Sequence, residues 1–273
     1  MKKILLAAFF LPLLQSVRGQ ATGQTAGQGS TQAAGQPAAP ASVSGVVLKE
    51  GKVIYDRKVN LRRRIKDENM KAMLPEFNTS RNELDFSGDE SVYRNVAEAE
   101  DIRDKAGEEN NGMVIRFNNG GANDQTYKNY AADKSLEQRE MGPHKYLIED
   151  TLRKINWKLE SAETRTMLGY ACKKATMTGR DGMTVVAWYA EDIVSSSGPE
   201  SFGGLPGLIL ELNMNDAEIV FTAREIVGKG FDKSIVKAPT EGKKITRAAF
   251  QKMMEEQFGE GGGKQMIRIM ADH

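Results

Sequence analysis

The sequence predicts a mainly β (α+β) protein, built as an antiparallel meander or curled half-barrel sheet with one or two packed helices. Three observations predict it. Apolar residues recur with a period of two along most of the chain, as half-buried strands require. Glycine, asparagine, aspartate and proline interrupt these runs at short intervals, which suits hairpins rather than crossover helices. Stripes with helical spacing are confined to two short stretches.

The elements follow in order. Val46-Val47-Leu48 and Val53-Ile54-Tyr55 flank Lys49-Glu50-Gly51-Lys52, which reads as a hairpin turn. Glu68 to Leu74 is a helical stretch stopped by Pro75. The acidic segment Ser87 to Asn110 is expected to be part strand and part loop, and short apolar strands are expected at Met113–Phe117 and Lys145–Glu149. Ile155, Trp157 and Leu159 alternate with Asn156 and Lys158, the pattern of a strand with one face inward. Leu168–Thr178 and Met183–Ala190 form a long hairpin around Gly179-Arg180-Asp181-Gly182. Leu208, Leu210 and Leu212 begin another, turned by Asn215-Asp216 and returned by Ile219–Ile226. Arg247–Phe258 is the better helix, with Thr246 as N-cap and Phe250, Met254 and Phe258 on one face. Gly261–Gly263 loosens the end, leaving residues 261–273 as a last strand or a tail.

The remaining organisation concerns destination. Lys2 and Lys3 precede an apolar run from Ile4 to Leu14, and Val17-Arg18-Gly19 suits signal peptidase, so residues 1–19 read as a secretory signal peptide. The run is shorter than the roughly 20 residues of a membrane span. Residues 20–44 are Gln, Ala, Gly, Thr, Ser and Pro and read as a disordered leader, because they offer almost nothing to bury. Residues 45–260 remain as a single β-rich domain. The expected location is periplasmic or extracellular, and the mature chain is not expected to be an integral membrane protein. The lone cysteine, Cys172, excludes an intrachain disulfide and is expected to be a buried thiol.

Charge excludes further classes. With 38 basic against 37 acidic residues, the chain lacks the footprint of a nucleic-acid binder. The run Arg62-Arg63-Arg64 reads as a solvated face. Only His144 and His273 could serve in a His-based zinc site or triad, and neither has partners at suitable spacing. Adjacent Glu191 and Asp192 would point to opposite faces of a strand. No nucleophile elbow or phosphate loop occurs. No catalytic residue, cofactor or metal is expected.

One segment stands apart. Gly198-Pro199, Gly203-Gly204 and Pro206-Gly207 punctuate ten residues immediately before the apolar run Leu208-Ile209-Leu210. Pro206 cannot donate to a ladder, so the segment belongs at an edge, in a bulge or outside the sheet. The candidate binding or structural motif comprises Gly198, Pro199, Phe202, Gly204, Leu205, Pro206 and Gly207, with Trp188 and Tyr189 upstream. Either these residues pack an irregular loop, or they form a rim where backbone approaches a ligand.

Gly204-Leu205-Pro206-Gly207-Leu208-Ile209 resembles the signature of the GLPGLI family of exported proteins. Gly169-Tyr170-Ala171-Cys172-Lys173-Lys174-Ala175, Ala187-Trp188-Tyr189 and Gly198-Pro199 with Phe202 are similar to that family's other segments in order and spacing. Ile155, Trp157 and the stretch Glu83–Phe86 with Ser91–Tyr93 extend the resemblance across most of the domain. At Glu191-Asp192-Ile193-Val194 the chain departs, because a proline usually follows the isoleucine. The resemblance implies an exported protein of unknown role from a bacterium of the Bacteroidetes type, also described as Porphyromonas-type, and transfers no catalytic residues.

The expected function is therefore non-enzymatic binding of a partner protein or a hydrophobic ligand at the cell envelope. One alternative is a periplasmic lipid or lipoprotein carrier, which requires an apolar cavity lined by Trp157, Trp188, Leu208, Leu210, Phe250 and Met254. An interaction module instead requires a filled core and an exposed apolar patch or open edge near Leu205 to Gly207. A hydrolase with an unrecognised site is the third reading.

Overall fold

The computed structural model describes residues 47–96, 114–117, 123–179, 182–258 and 267–270. The expected signal peptide and leader lie outside these residues, as does the acidic stretch after Val96. The described chain is mainly β, as expected: one mostly antiparallel open sheet of twelve strands, a separate two-stranded ribbon and two helices.

The strands are β1 (Glu50–Asn60), β2 (Phe77–Ser87), β3 (Glu90–Asn95), β4 (Val114–Phe117), β5 (Gln125–Asn129), β6 (Lys134–Met141) and β7 (His144–Asp150) in the first half. The second half supplies β8 (Lys158–Met167), β9 (Tyr170–Thr178), β10 (Thr184–Ala190), β11 (Leu208–Met214), β12 (Ile219–Val227), β13 (Lys243–Thr246) and β14 (Ile267–Met270). Two meanders meet where β12 pairs antiparallel with β1, giving the order β13-β7-β6-β5-β3-β2-β1-β12-β11-β10-β9-β8. Only β13 runs parallel to its neighbour, β7. β4 and β14 form the ribbon.

Chain connectivity dictates the curvature. β7 and β8 lie ten steps apart in the sheet, about 48 Å if it were flat. Yet only Thr151–Trp157 joins them, and that link spans at most about 28 Å. The sheet must curl until its two flanks approach, and among the described residues β13 and β8 are its open edges.

Each face has its own core. On the concave side, alternate residues of β1 (Val53, Tyr55), β2 (Leu84, Phe86), β10 (Val185, Ala187) and β11–β12 (Leu212, Phe221) bury together. On the convex side Val92, Tyr127, Leu136 and Leu147 are covered by Phe231, Ile235 and Val236. These last belong to a strap, Gly228–Gly242, that runs from β12 across the outer face to β13.

Several expected elements shift. No turn forms at Lys49–Lys52: Gly51 and Lys52 already pair with Phe86 and Asp85 inside β1, and Leu48 instead bridges Ile193. Ile155 and Trp157 belong to the β7–β8 link, not to a strand. Leu168 and Gly169 turn β8 into β9 with positive φ, so that strand starts two residues later than expected. The two helices fall where the sequence puts them. α1 (Glu68–Met73) is capped by Asp67, whose carboxylate accepts from Met70 N at 3.0 Å. α2 (Arg247–Phe258) is capped by Thr246, whose hydroxyl accepts from Ala249 N at 3.2 Å.

Candidate functional site

The segment between β10 and β11 does not hang from the rim. Residues 195–207 fold back into the hollow of the sheet as a plug. Ser197 and Gly203 form an antiparallel bridge, and Phe202 N donates to Pro199 O at 3.0 Å, so Gly198–Phe202 is a tight turn. Glu200 sits at its tip with φ +48. The plug is held from strands distant in the sheet. Lys128 of β5 donates to the carbonyls of Gly198 and Phe202 at 2.8 and 2.7 Å. The Ser197 hydroxyl donates to Ser91 of β3 at 2.8 Å. From outside, the β7–β8 link closes over it: the Trp157 indole donates to Gly203 O at 2.9 Å, and the Arg153 guanidinium lies over the Phe202 ring.

This packing explains the residue types. A Cβ on Gly203 would stand 2.6 Å from Ser196 O and would strike the Tyr130 hydroxyl; one on Gly207 would stand 2.8 Å from Glu191 Cα. Gly204 has φ +83 and open space around it, so its requirement is conformational. Phe202 and Leu205 point inward and are buried, while Gly204 and Pro206 face out. Tyr189 is buried in the concave core, and Trp188 is partly buried on the opposite face, where the Arg165 guanidinium stacks on its ring at 4.2 Å.

The expected cavity lining is not assembled. Leu208 and Leu210 are fully buried in the core, and Trp157 caps the plug. Phe250 lies at the other flank, edge-on to Tyr146 of β7 at 5.8 Å, because α2 rests on β7 and β13. The exposed apolar patch expected at Leu205–Gly207 is also missing, since Leu205 is 1% exposed.

What remains of the concave face, over β1, β2, β3, β5 and β6, is polar. Arg57, Ser80, Asn82, Tyr93, Thr126, Lys128 and Glu137 are all buried there. Some are spent on neighbours. Glu137 pairs with Arg139 at 2.9 Å and with Arg247, which also reaches Asp150 at 3.2 Å. Burial pushes the Lys128 amine down to about 7, against the opposing pull of Glu137 and Glu200. Others have surplus capacity. Arg57 is 3.5 Å from the half-exposed carboxylate of Glu200, but its Nη1 has no hydrogen-bond partner among the described residues. The same is true of Ser80 Oγ, Asn82 Oδ1 and Tyr93 Oη.

Sequence reasoning passed over this cluster, although one signal was present. Arg57 occupies an inward position in the alternation Val53, Tyr55, Arg57, Val59, and a cation there requires an explanation. Lys128 carried no comparable signal, because Gln125–Asn129 is polar at both periods.

On the convex face a polar groove of about 520 Å³ lies between the strap and β3, β5 and β6, lined by Arg94, Gln125, Gln138, Lys237 and Thr240 among others. Beside it Lys52 and Arg94 neutralise Glu83 and the fully buried Asp85, whose carboxyl is pushed up to about 6 by burial. His144 begins β7 and is exposed. Of the basic run, Arg62 donates to Leu74 O and Arg63 to the carbonyls of Asn215 and Asp216, so both are occupied in joining loops. Among the described residues no three His, Cys, Asp or Glu side chains are grouped to hold a metal, and no helix is long and apolar enough to cross a membrane.

The fold and plug thus define a curled, open-sheet β protein with a self-filled hollow. The family described as "Protein of unknown function (Porph_ging)" matches residues 179–211, which contain β10, the plug and the start of β11. No curated protein matches. Among solved structures, PNGF-II in its P21 and C2 crystal forms is similar with a TM-score of 0.50, at 16% and 17% identity over 75% of this chain. The match covers 33% and 32% of those chains, so this protein spans about a third of PNGF-II. An uncharacterized conserved protein from Thermus thermophilus is similar at 5% identity and a TM-score of 0.38, covering 76% of this chain and 95% of its own. At 16% and 17% identity the likeness to PNGF-II is one of fold alone.

Proposed function

We propose that this chain is an exported, non-enzymatic binding protein of the GLPGLI kind, working at the bacterial envelope on a polar partner rather than on a hydrophobic small molecule. One observation carries the choice of partner. The hollow in which a carrier would keep an apolar cavity is filled by residues 195–207, and the concave surface beside the plug is lined by Arg57, Ser80, Asn82 and Tyr93. Apolar ligands seek concave apolar surface; this surface offers hydrogen-bonding groups. GLPGLI kinship is supported by the coincidence of the match at 179–211 with Ala187–Tyr189 and Gly204–Ile209. Export rests on the charged, apolar and small-residue pattern of residues 1–19.

Native mass spectrometry on protein purified gently from its own cells tests this. The expected chain begins at Gln20 and travels with a protein, free of any adduct in the lipid mass range. A stoichiometric lipid adduct would overturn the choice of a polar partner, and a chain retaining residues 1–19 in the cytoplasm would overturn export.

A further inference from the structure

The chemistry of the concave cluster points further than a polar surface. Arg57 on β1 stands directly opposite Ser80 on β2, and Asn82 and Tyr93 follow on the same face of β2 and β3. Arg57, Ser80, Asn82 and Tyr93 are 6%, 8%, 4% and 6% exposed. Each keeps a polar atom without a partner among the described residues: Arg57 Nη1, Ser80 Oγ, Asn82 Oδ1 and Tyr93 Oη. A buried polar atom left unsatisfied is costly, and native folds rarely keep four on one stretch of sheet.

Three of the four groups can donate hydrogen bonds, one of them from a permanent cation, which is the donor set a carboxylate needs. The chain also brings a carboxylate of its own to the place. Glu200, at the tip of the plug, approaches Arg57 Nε to 3.5 Å, too far for a strong hydrogen bond, and its side chain is 44% exposed. Its backbone lies at φ +48, a region costly for a glutamate. The resident carboxylate is thus held by one long ion pair and lies partly in solvent.

We propose that Arg57, Ser80, Asn82 and Tyr93 form a binding site for a carboxylate group carried by the ligand, with Glu200 as the occupant that this group displaces. The proposal rests on the reading of the concave face as the binding face. Arg57 supplies charge and one N–H, Ser80 and Tyr93 supply hydroxyl donors, and Asn82 Oδ1 accepts from an N–H or O–H next to the carboxylate.

The test is an NMR titration that follows the Arg57 Nε–H signal in the mature chain. The probes are trialanine as the free acid, trialanine amide, acetate and sulfate. Saturable shifts are expected with the free acid and not with the amide. Glu200→Gln, which removes the competitor and keeps the shape, is expected to tighten binding by about tenfold. Tyr93→Phe is expected to weaken it by a similar factor without lowering the melting temperature, because the hydroxyl it removes has no partner to lose; a purely structural tyrosine would show no binding change. Trialanine binding more tightly than acetate assigns the site to chain ends, and equal binding assigns it to small acids. Absence of a saturable shift in Glu200→Gln, equal binding of the amide, or preference for sulfate would each overturn the carboxylate site. The partner complex expected in native mass spectrometry would survive that outcome, whereas a lipid adduct on a chain that still binds trialanine would overturn the choice of a polar partner alone.

Discussion

Pro206 and Gly207 are neighbours in the chain but are required for different reasons. Pro206 faces solvent and stiffens the entry to β11, so Pro206→Ala should lower stability by about 0.4–1 kcal/mol, through the freedom it restores to the unfolded chain. Gly207 has no room for a Cβ beside Ala190 and Glu191, and even Gly207→Ala should cost about 1–3 kcal/mol through overpacking. Denaturant titration of both variants should rank them in that order; equal losses would contradict the packing of the plug. Lys128 gives a pH signature. Its amine is depressed in the fold, so between about pH 7 and its unfolded value the unfolded chain binds the extra proton, and stability rises with pH across that window. Below about 7 the lysine is charged in both states and the burial cost is fully present. The stability advantage of the wild type over Lys128→Met should therefore be larger at pH 9.5 than at pH 7, and a pH-independent difference would show that the amine stays charged. Cys172 is fully buried, its thiol pushed up to about 11 by burial against the pull of Arg165. Iodoacetamide should leave it unmodified in the native protein and alkylate it once the protein is unfolded.

At the scale of elements, strands whose apolar residues alternate were legible and those without alternation were not. β10 and β12 lie where alternation places them, and α1 and α2 start where Asp67 and Thr246 cap them. β5 and β6 escaped notice because their inward residues include Thr126, Lys128, Ser135 and Glu137. Gly51 misled in the opposite direction. It reads as a turn residue, yet it lies in β1 because a Cβ there would stand 2.7 Å from Val227 O. The apolar stripe on α2 meets the sheet through Phe250 against Tyr146, and Arg247 ties its first turn to Glu137 and Asp150 at the β6–β7 flank. Replacing Arg247 by methionine should loosen that anchor, and limited proteolysis should then cut within α2 earlier than in the wild type while the sheet stays intact.

For the molecule as a whole, the sheet's class was legible but its curvature had to be inferred from connectivity that no local pattern reports. Strand order sets β7 and β8 far apart, and seven linking residues bring them back together. That closure is what makes a hollow, and the hollow is what the plug fills. The candidate motif was visible in sequence as punctuation, but whether Gly198–Gly207 faced inward or outward depended on Lys128, Ser91 and Trp157, which are 46 to 106 residues away from the plug atoms they bind. The cluster at Arg57 is of the same kind, since its members come together only through the register of β1, β2 and β3.

The central claim is that residues 195–207 are a built-in filling of the concave face, and amide hydrogen exchange tests it most directly. Gly204 N donates to Ser196 O at 2.7 Å and Phe202 N to Pro199 O at 3.0 Å, both within the plug. The amides of Phe202 and Gly204 should exchange as slowly as those of β1 and β11, opening only with the whole sheet. Exchange at the rate of a surface loop, with the sheet still protected, would show a loop that leaves the hollow open and would contradict the account.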